Sequence, residues 1–243
     1  MIERMALFGA TGDLTGRFLL PALARLHADG HLPADFRLVG SATEAWDDDD
    51  FRRFADDRLA RFCADVTGEV RTSFVQRLAY RAADVAETPS VRRVVEALGD
   101  DVRPVLAYLA LPTAVFPLAV GALGEVGLPA GSRIALEKPF GEDLESARAL
   151  NAQLAELTGV AGEQAIFRVD HVLAMATVQN LLGVRLANRV LEPLWNGAHV
   201  EQVDLLWDET LALEGRASYY DKAGALKDVV QNHLLQVLCF VAM

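Results

Sequence analysis

Three places in the sequence hold residues whose types and spacing could do chemistry. The first is Gly9-Ala10-Thr11-Gly12-Asp13-Leu14, directly after the first apolar run of the chain. Glycines three apart between a strand and a helix let backbone N–H groups approach a pyrophosphate at a helix N-terminus. An ordinary βα turn is the alternative, and the position after the first strand favours nucleotide binding. The second is Asp170-His171, an acid beside an imidazole at the mouth of a helix, together with His233 on a later helix. An imidazole can take up a proton near neutral pH, which suits abstraction of a hydroxyl proton during hydride transfer. Asp228 stands five residues before His233, roughly 140° away around an α-helix. His233 therefore needs another orienting partner, for which Asp170 is the candidate; a core histidine with satisfied hydrogen bonds is the alternative. The third is Lys138, fixed between the end of an apolar run and Pro139. In an open α/β sheet, ligands bind outside the carboxyl ends of strands.

Positioning these groups requires a scaffold, and the hydrophobic pattern supplies one. Residues 5–8 and 36–39 read as strands, the second closed by Gly40, with a helix between them that Pro21 is expected to kink or delay. Strand, glycine turn, helix and strand make a βαβ unit. Helical periodicity follows through Phe51, Phe54, Leu59 and Phe62, then Phe74 and Leu78, and again through Val91, Val94 and Leu98. The continuous apolar run 105–110 predicts a strand covered on both faces, with Thr113 as N-cap of the next helix. Residues 133–137 form another strand, and Asp143 caps a helix through Leu150 and Leu154. The expected fold is α/β, a Rossmann-like doubly wound parallel sheet. After Asp170 the pattern changes. A helix from Leu173 is stopped at Pro193, residues 200–207 alternate as a half-buried strand, and residues 222–243 form a long helix. We expect a dinucleotide-binding domain over 1–164 and an incomplete substrate-binding α+β domain with an antiparallel sheet over 165–243.

Composition narrows the function classes. A chain of 243 residues, 52% hydrophobic, can bury a sizeable core. Its formal net charge of -11 argues against nucleic acid and against an anionic membrane surface. An anionic ligand must therefore be held by local positive groups and backbone N–H groups. The run Asp47-Asp48-Asp49-Asp50 reads as a solvated helix start. Cys63 and Cys239 lie in apolar patterns without metal spacing, so buried reduced thiols, a cytoplasmic location and no metal are expected. No apolar run reaches membrane-spanning length. At the end of the second strand, an acid binds the ribose 2′-hydroxyl of NAD, whereas an arginine accommodates the 2′-phosphate of NADP. Here Glu44 is present and no arginine is.

Taken together, the motifs resemble glucose-6-phosphate dehydrogenases over the whole chain. The matching stretches are Gly-Ala-Thr-Gly-Asp-Leu at 9–14, Leu-Ala-Leu-Pro at 109–112, Glu-Lys-Pro-Phe-Gly at 137–141 and Phe-Arg-Val-Asp-His at 167–171. They continue with Val-Gln-Asn-Leu-Leu at 178–182, Ala-Asn-Arg at 187–189, Glu-Pro-Leu-Trp-Asn at 192–196, Glu-Gly-Arg at 214–216, Tyr-Tyr-Asp at 219–221 and Gln-Asn-His-Leu-Leu-Gln at 231–236. The resemblance implies oxidation of C1 of glucose 6-phosphate to the lactone, with hydride passed to NADP or NAD. It implies that His233 is the general base, Asp170 its orienting carboxylate, and His171 a ligand of the substrate phosphate. Lys138 would bridge cofactor and substrate, Glu209 and Asp228 would bind sugar hydroxyls, and Gly9, Thr11 and Gly12 would form the dinucleotide turn. Pro139 would follow a peptide bond that is often cis in the family.

The chain also departs from that family. The expected Tyr-Leu-Gly-Lys-Glu after Asp-His is Val172-Leu173-Ala174-Met175-Ala176 here. A methionine cannot neutralise a phosphate, and losing one charge-assisted contact costs about 1.5–3 kcal/mol. Phe18 stands at the family's lysine after the glycine turn, beside Arg17, and Thr43 at its 2′-phosphate arginine. Two further expectations follow. One is an NAD-dependent dehydrogenase of an unphosphorylated or modified sugar. The other is a non-catalytic, truncated homologue that binds a second copy or a partner chain through apolar surface left by a missing sheet.

Overall fold

The computed structural model describes residues 3–99, 103–208, 221 and 224–243. They divide into two compact units, Met1–Arg168 and Val169–Met243. In the first, short apolar runs form β1 (Arg4–Phe8), β2 (Arg37–Ser41), β3 (Leu78–Tyr80), β4 (Val105–Leu109) and β5 (Arg133–Glu137), with β6 (Ile166–Val169) completing the sheet. The strand order is β3-β2-β1-β4-β5-β6. The pairings β1–β2, β2–β3, β1–β4 and β4–β5 are parallel. The chain moves outward from β1 on one side and returns to β4 on the other, so the order of strand addition reverses between β1 and β4. Phe8 lies level with Ser41 and with Leu109. The three strands thus end together and open the crevice where α/β sheets place ligands.

Both faces are covered by helices: α1 (Leu20–Ala28), α2 (Asp48–Phe62), α3 (Gly68–Val75), α4 (Thr88–Glu96), α5 (Phe116–Val126) and α6 (Leu144–Thr158). Alternation along the strands sends Ala6, Phe8, Val39, Ala107, Leu109, Ile134 and Leu136 into one core with Val91 and Val94 of α4, Phe116 and Leu123 of α5, and Leu150 and Leu154 of α6. The other face receives Leu7 and Leu38, and there Phe51 of α2 packs on Gly40. Asp47 caps α2 through a capping box with Asp50, and Asp143 caps α6 in the same way with Ser146.

Several expectations give way to local physics. Gly40 lies inside β2 instead of ending it: a Cβ there would meet Phe51 Cζ at 2.6 Å and Ala10 Cβ at 2.8 Å. Residues 78–80 pair with β2 as an edge strand instead of extending the preceding helix. Pro21 does delay its α-helix: the helical stretch runs as a π-helical turn over Thr15–Leu19, and α1 proper starts only at Leu20, with Pro21 in its first turn. Thr113 caps no helix; its hydroxyl donates to Pro139 O at 3.1 Å. Cys63 is buried, as read, but Cys239 is exposed.

The second unit holds a 3-10 turn (His171–Ala174), α7 (Ala176–Leu186), a 3-10 turn (Glu192–Leu194), a π-helical segment (Leu226–Leu234) and α8 (Leu235–Ala242). Trp195 joins these elements: its Nε1 donates to Val241 O at 2.7 Å, and Arg185 lies over its ring at 5.6 Å. The expected strand at 200–207 does not form, and among the described residues no strand follows β6. An alternating pattern needs a neighbouring strand to satisfy its N–H and C=O groups, and none is paired with it here. Among the described residues no helix is long and apolar enough to cross a membrane.

Candidate functional site

The glycine turn at the carboxyl end of β1 is built by close backbone approach. Gly9 has φ +83°, and a Cβ on it would lie 2.0 Å from Ala110 O. Only glycine tolerates both conditions. Gly9 N and Ala10 N donate to Ser41 O at 2.8 and 3.0 Å, which ties the turn to the end of β2. The Thr15 hydroxyl donates to Gly9 O at 2.9 Å, and Gly16 N to Gly12 O at 3.0 Å. The helix begins at Asp13, so the first N–H groups after the turn have no intrahelical acceptor and can meet an anion. Gly12 keeps the turn flat, since a Cβ there would sit 3.2 Å from Gly9 O. Sequence reading missed Gly16. A Cβ there would lie 3.0 Å from Arg58 Cδ, so the glycine leaves room for the Arg58 side chain of α2 against the helix after the turn. Its spacing of four from Gly12 was the available signal. The donor set of the turn, backbone N–H groups at a helix N-terminus, is of the kind that holds a diphosphate.

Glu44, beyond β2, reaches this turn: Thr11 Oγ1 donates to Glu44 Oε2 at 3.0 Å. Lys138 lies at the carboxyl end of β5, half-buried, before a cis peptide bond to Pro139. Beside it the buried Tyr108 hydroxyl donates to the Glu137 carboxylate. Burial, and then that bond, push the Tyr108 hydroxyl pKa up.

In the second unit, Asp170 caps the turn His171–Ala174. Its Oδ1 accepts from Val172 N at 3.1 Å and its Oδ2 lies 2.8 Å from His233 Nδ1. Asp170 and His233 are 8% and 4% exposed, so this contact is shielded from water. Trp207 stacks on the His233 ring at 5.9 Å and the exposed His171 meets it edge-on at 5.2 Å. Donor atoms of Asp170, His171 and His233 lie within 4.8 Å of one another, close enough to hold a cation. The Asp170–His233 contact also fixes the orientation of the imidazole ring, which suits proton transfer at its other nitrogen.

The position of Asp228 corrects the helical reading. The segment carrying it is π-helical, with Leu235 N bonded to Val230 O. Residues five apart then lie about one turn apart, so Asp228 and His233 fall on nearly the same side and not 140° apart. Asp228 is half-buried. Val172 is fully buried and Met175 is 42% exposed. Glu209, and most of the motifs at 214–216 and 219–221, lie outside the described residues.

Residues 6–180 match the family profile described as glucose-6-phosphate dehydrogenase, NAD binding domain, and residues 182–243 the profile for the C-terminal domain of the same family. The chain is 38% identical to a glucose-6-phosphate 1-dehydrogenase of Zymomonas mobilis, over 100% of this chain and 50% of that protein. It is 41% identical to a Rhizobium meliloti protein of the same name, over 97% and 48%. The structure is similar to the crystal structure of glucose-6-phosphate 1-dehydrogenase from Mycobacterium avium, with TM-score 0.87, 36% identity, and coverage of 100% of this chain and 52% of that one. It is also similar to a glucose-6-phosphate dehydrogenase in complex with its substrate glucose-6-phosphate, with TM-score 0.86 and 32% identity over 98% and 51%. The chain spans about half the length of the curated relatives it matches.

Proposed function

Because the chain belongs to the glucose-6-phosphate dehydrogenase family, we propose that it acts as an NAD(P)-dependent oxidoreductase of that type, taking hydride from C1 of glucose 6-phosphate to give the lactone. The observation that carries this reading is the buried 2.8 Å contact between His233 Nδ1 and Asp170 Oδ2. A carboxylate only accepts hydrogen bonds, so the proton sits on Nδ1 and Nε2 is left as the acceptor. Nε2 takes the C1 hydroxyl proton, while Asp170 fixes the ring and balances the imidazolium charge that forms. Bound NAD(P) supplies the hydride acceptor. The turn at 9–14 holds its pyrophosphate through backbone N–H groups. Lys138 contacts cofactor and substrate, His171 the sugar phosphate, and Asp228 and Glu209 the sugar hydroxyls; these roles rest on the family resemblance. The proposed division is a dinucleotide-binding domain over 1–164 and a substrate-binding domain over 165–243. A cytoplasmic location and association with a second copy or a partner chain belong to the same proposal.

A second reading rests on Met175 and Val172. An exposed thioether and a buried aliphatic side chain stand where the family resemblance expects phosphate ligands, which favours an unphosphorylated or modified sugar. One assay separates the readings: NAD and NADP reduction by wild type and His233→Ala, with glucose 6-phosphate and with glucose. Turnover that needs the phosphate and is lost in the variant supports the first, and turnover indifferent to the phosphate supports the second. Absence of both turnover and dinucleotide binding sinks both and leaves a non-catalytic interaction protein.

A further inference from the structure

The corner where β2 ends is more ordered than a surface loop needs to be. The main-chain oxygen of Glu44 accepts from the Tyr80 hydroxyl and from Trp46 N, each at 2.9 Å. Tyr80 is 1% exposed and its ring lies 5.5 Å from Phe51 and 6.0 Å from Trp46. Burial, and then the nearby Glu44 charge, raise the Tyr80 hydroxyl to about 12, so it stays protonated and keeps donating. The carboxylate is held separately, by Thr11 Oγ1 at 3.0 Å. A buried tyrosine thus sets where the acid stands, and a residue of the glycine turn sets where it points.

The charges around this corner all point the same way. Arg81 Nη1 donates to Asp48 Oδ1 at 2.9 Å and to Tyr80 O at 2.5 Å. Arg52 Nε donates to Leu78 O at 2.9 Å and its Nη1 to Asp49 at 3.2 Å. Both guanidiniums are turned toward carboxylates of the Asp47–Asp50 run, and Thr43 carries no charge. A ribose 2′-hydroxyl can donate to a carboxylate. A 2′-phosphate carries about -1.5 to -2 charges near pH 7, donates little, and is repelled by every acid here.

We infer that this chain selects NAD over NADP, and that Glu44, held at the glycine turn by Thr11, is the selecting residue. The inference rests on the dinucleotide-binding reading above and deepens it. The test is binding, not turnover. The 243-residue chain is titrated with NAD and with NADP by calorimetry, as wild type, Glu44→Gln and Thr11→Val, with thermal melts run in parallel. The Glu44 side chain is exposed, so its amide leaves the packing intact. NAD is expected to bind about tenfold tighter than NADP or more, one charge-assisted hydrogen bond's worth. Glu44→Gln narrows that ratio by weakening NAD and strengthening NADP, and Thr11→Val falls between. NADP binding as tightly as NAD to wild type, or an unchanged ratio in Glu44→Gln, overturns the inference while dinucleotide binding stands. Binding of neither nucleotide to chains with normal melts overturns the dinucleotide reading and the inference with it.

Discussion

Asp170 holds two hydrogen bonds with different consequences. Oδ1 accepts from Val172 N and starts the turn His171–Ala174, while Oδ2 reaches His233. Substitutions separate these roles. Asp170→Asn keeps the shape and a carbonyl acceptor but removes the charge that balances a protonated His233. On the proposed mechanism, kcat falls about 10²–10⁴-fold with the sugar KM little changed. Asp170→Ala strands His233 Nδ1 and Val172 N in a buried place, and stability falls by about 1–3 kcal/mol as well. Steady-state kinetics beside thermal melts distinguish the two, and an Asn variant with near-normal kcat would remove Asp170 from the mechanism. A second histidine carries a stability prediction. His27 Nε2 lies 2.7 Å from Ser73 Oγ, and burial, then the Arg77 charge, lowers its pKa. The folded state therefore binds this proton less readily than the unfolded one. Stability is full above the unfolded histidine value near 6.5 and declines as pH falls from there through the lowered folded value. His27→Gln should flatten that acid limb of the melting temperature against pH. An unchanged limb would mean that His27 is not its source.

At the scale of elements, two glycines with positive φ make predictions of the same sign and different size. Gly9→Ala drives a methyl to 2.0 Å from Ala110 O, which only movement of β1 against β4 can relieve. Gly30 has φ +69° but nothing within 4 Å of an added Cβ. Gly30→Ala should cost about 1–2 kcal/mol, the left-handed penalty alone. Gly9→Ala should cost about 4 kcal/mol or more and lose dinucleotide binding; similar melts for the two variants would contradict the close approach. Elements that announce themselves by long patterns were legible in the sequence: β1, β4 and β5 as apolar runs, α4 to α6 by their periodicity. Those decided by a neighbour were not. β3 is three residues long and exists only through pairing with β2. Gly40 looks like a terminator until Phe51 is packed on it. The π-helical turns at Thr15–Leu19 and Leu226–Leu234 keep α-like periodicity, so the sequence gives no warning that residues five apart share a side. The alternation at 200–207 is real, but a strand pattern is a strand only beside a partner.

At the scale of the whole molecule, the formal charge of -11 works against the ligands proposed for it. A dinucleotide and a sugar phosphate are both anionic. The groups offered to them are short-range ones, backbone N–H at the turn after β1 and a few cations such as Lys138. The net field should therefore slow the approach of an anion while the site itself holds it once bound. Screening separates these effects. The Debye length shrinks from about 30 Å at 0.01 M salt to about 8 Å at 0.15 M. Long-range repulsion is then largely removed, and contacts of about 3 Å inside the site are screened much less. The association rate of NAD, followed by stopped-flow fluorescence, should rise about threefold or more across that range, with the dissociation rate nearly unchanged. Glucose, being neutral, should show no such dependence in any binding it makes. A dinucleotide association rate that falls with salt would mean that a local positive field dominates at the crevice mouth. That field would have to come from cations such as Lys138 and Arg17, outweighing the acidic corner around Glu44 and the run at Asp47–Asp50.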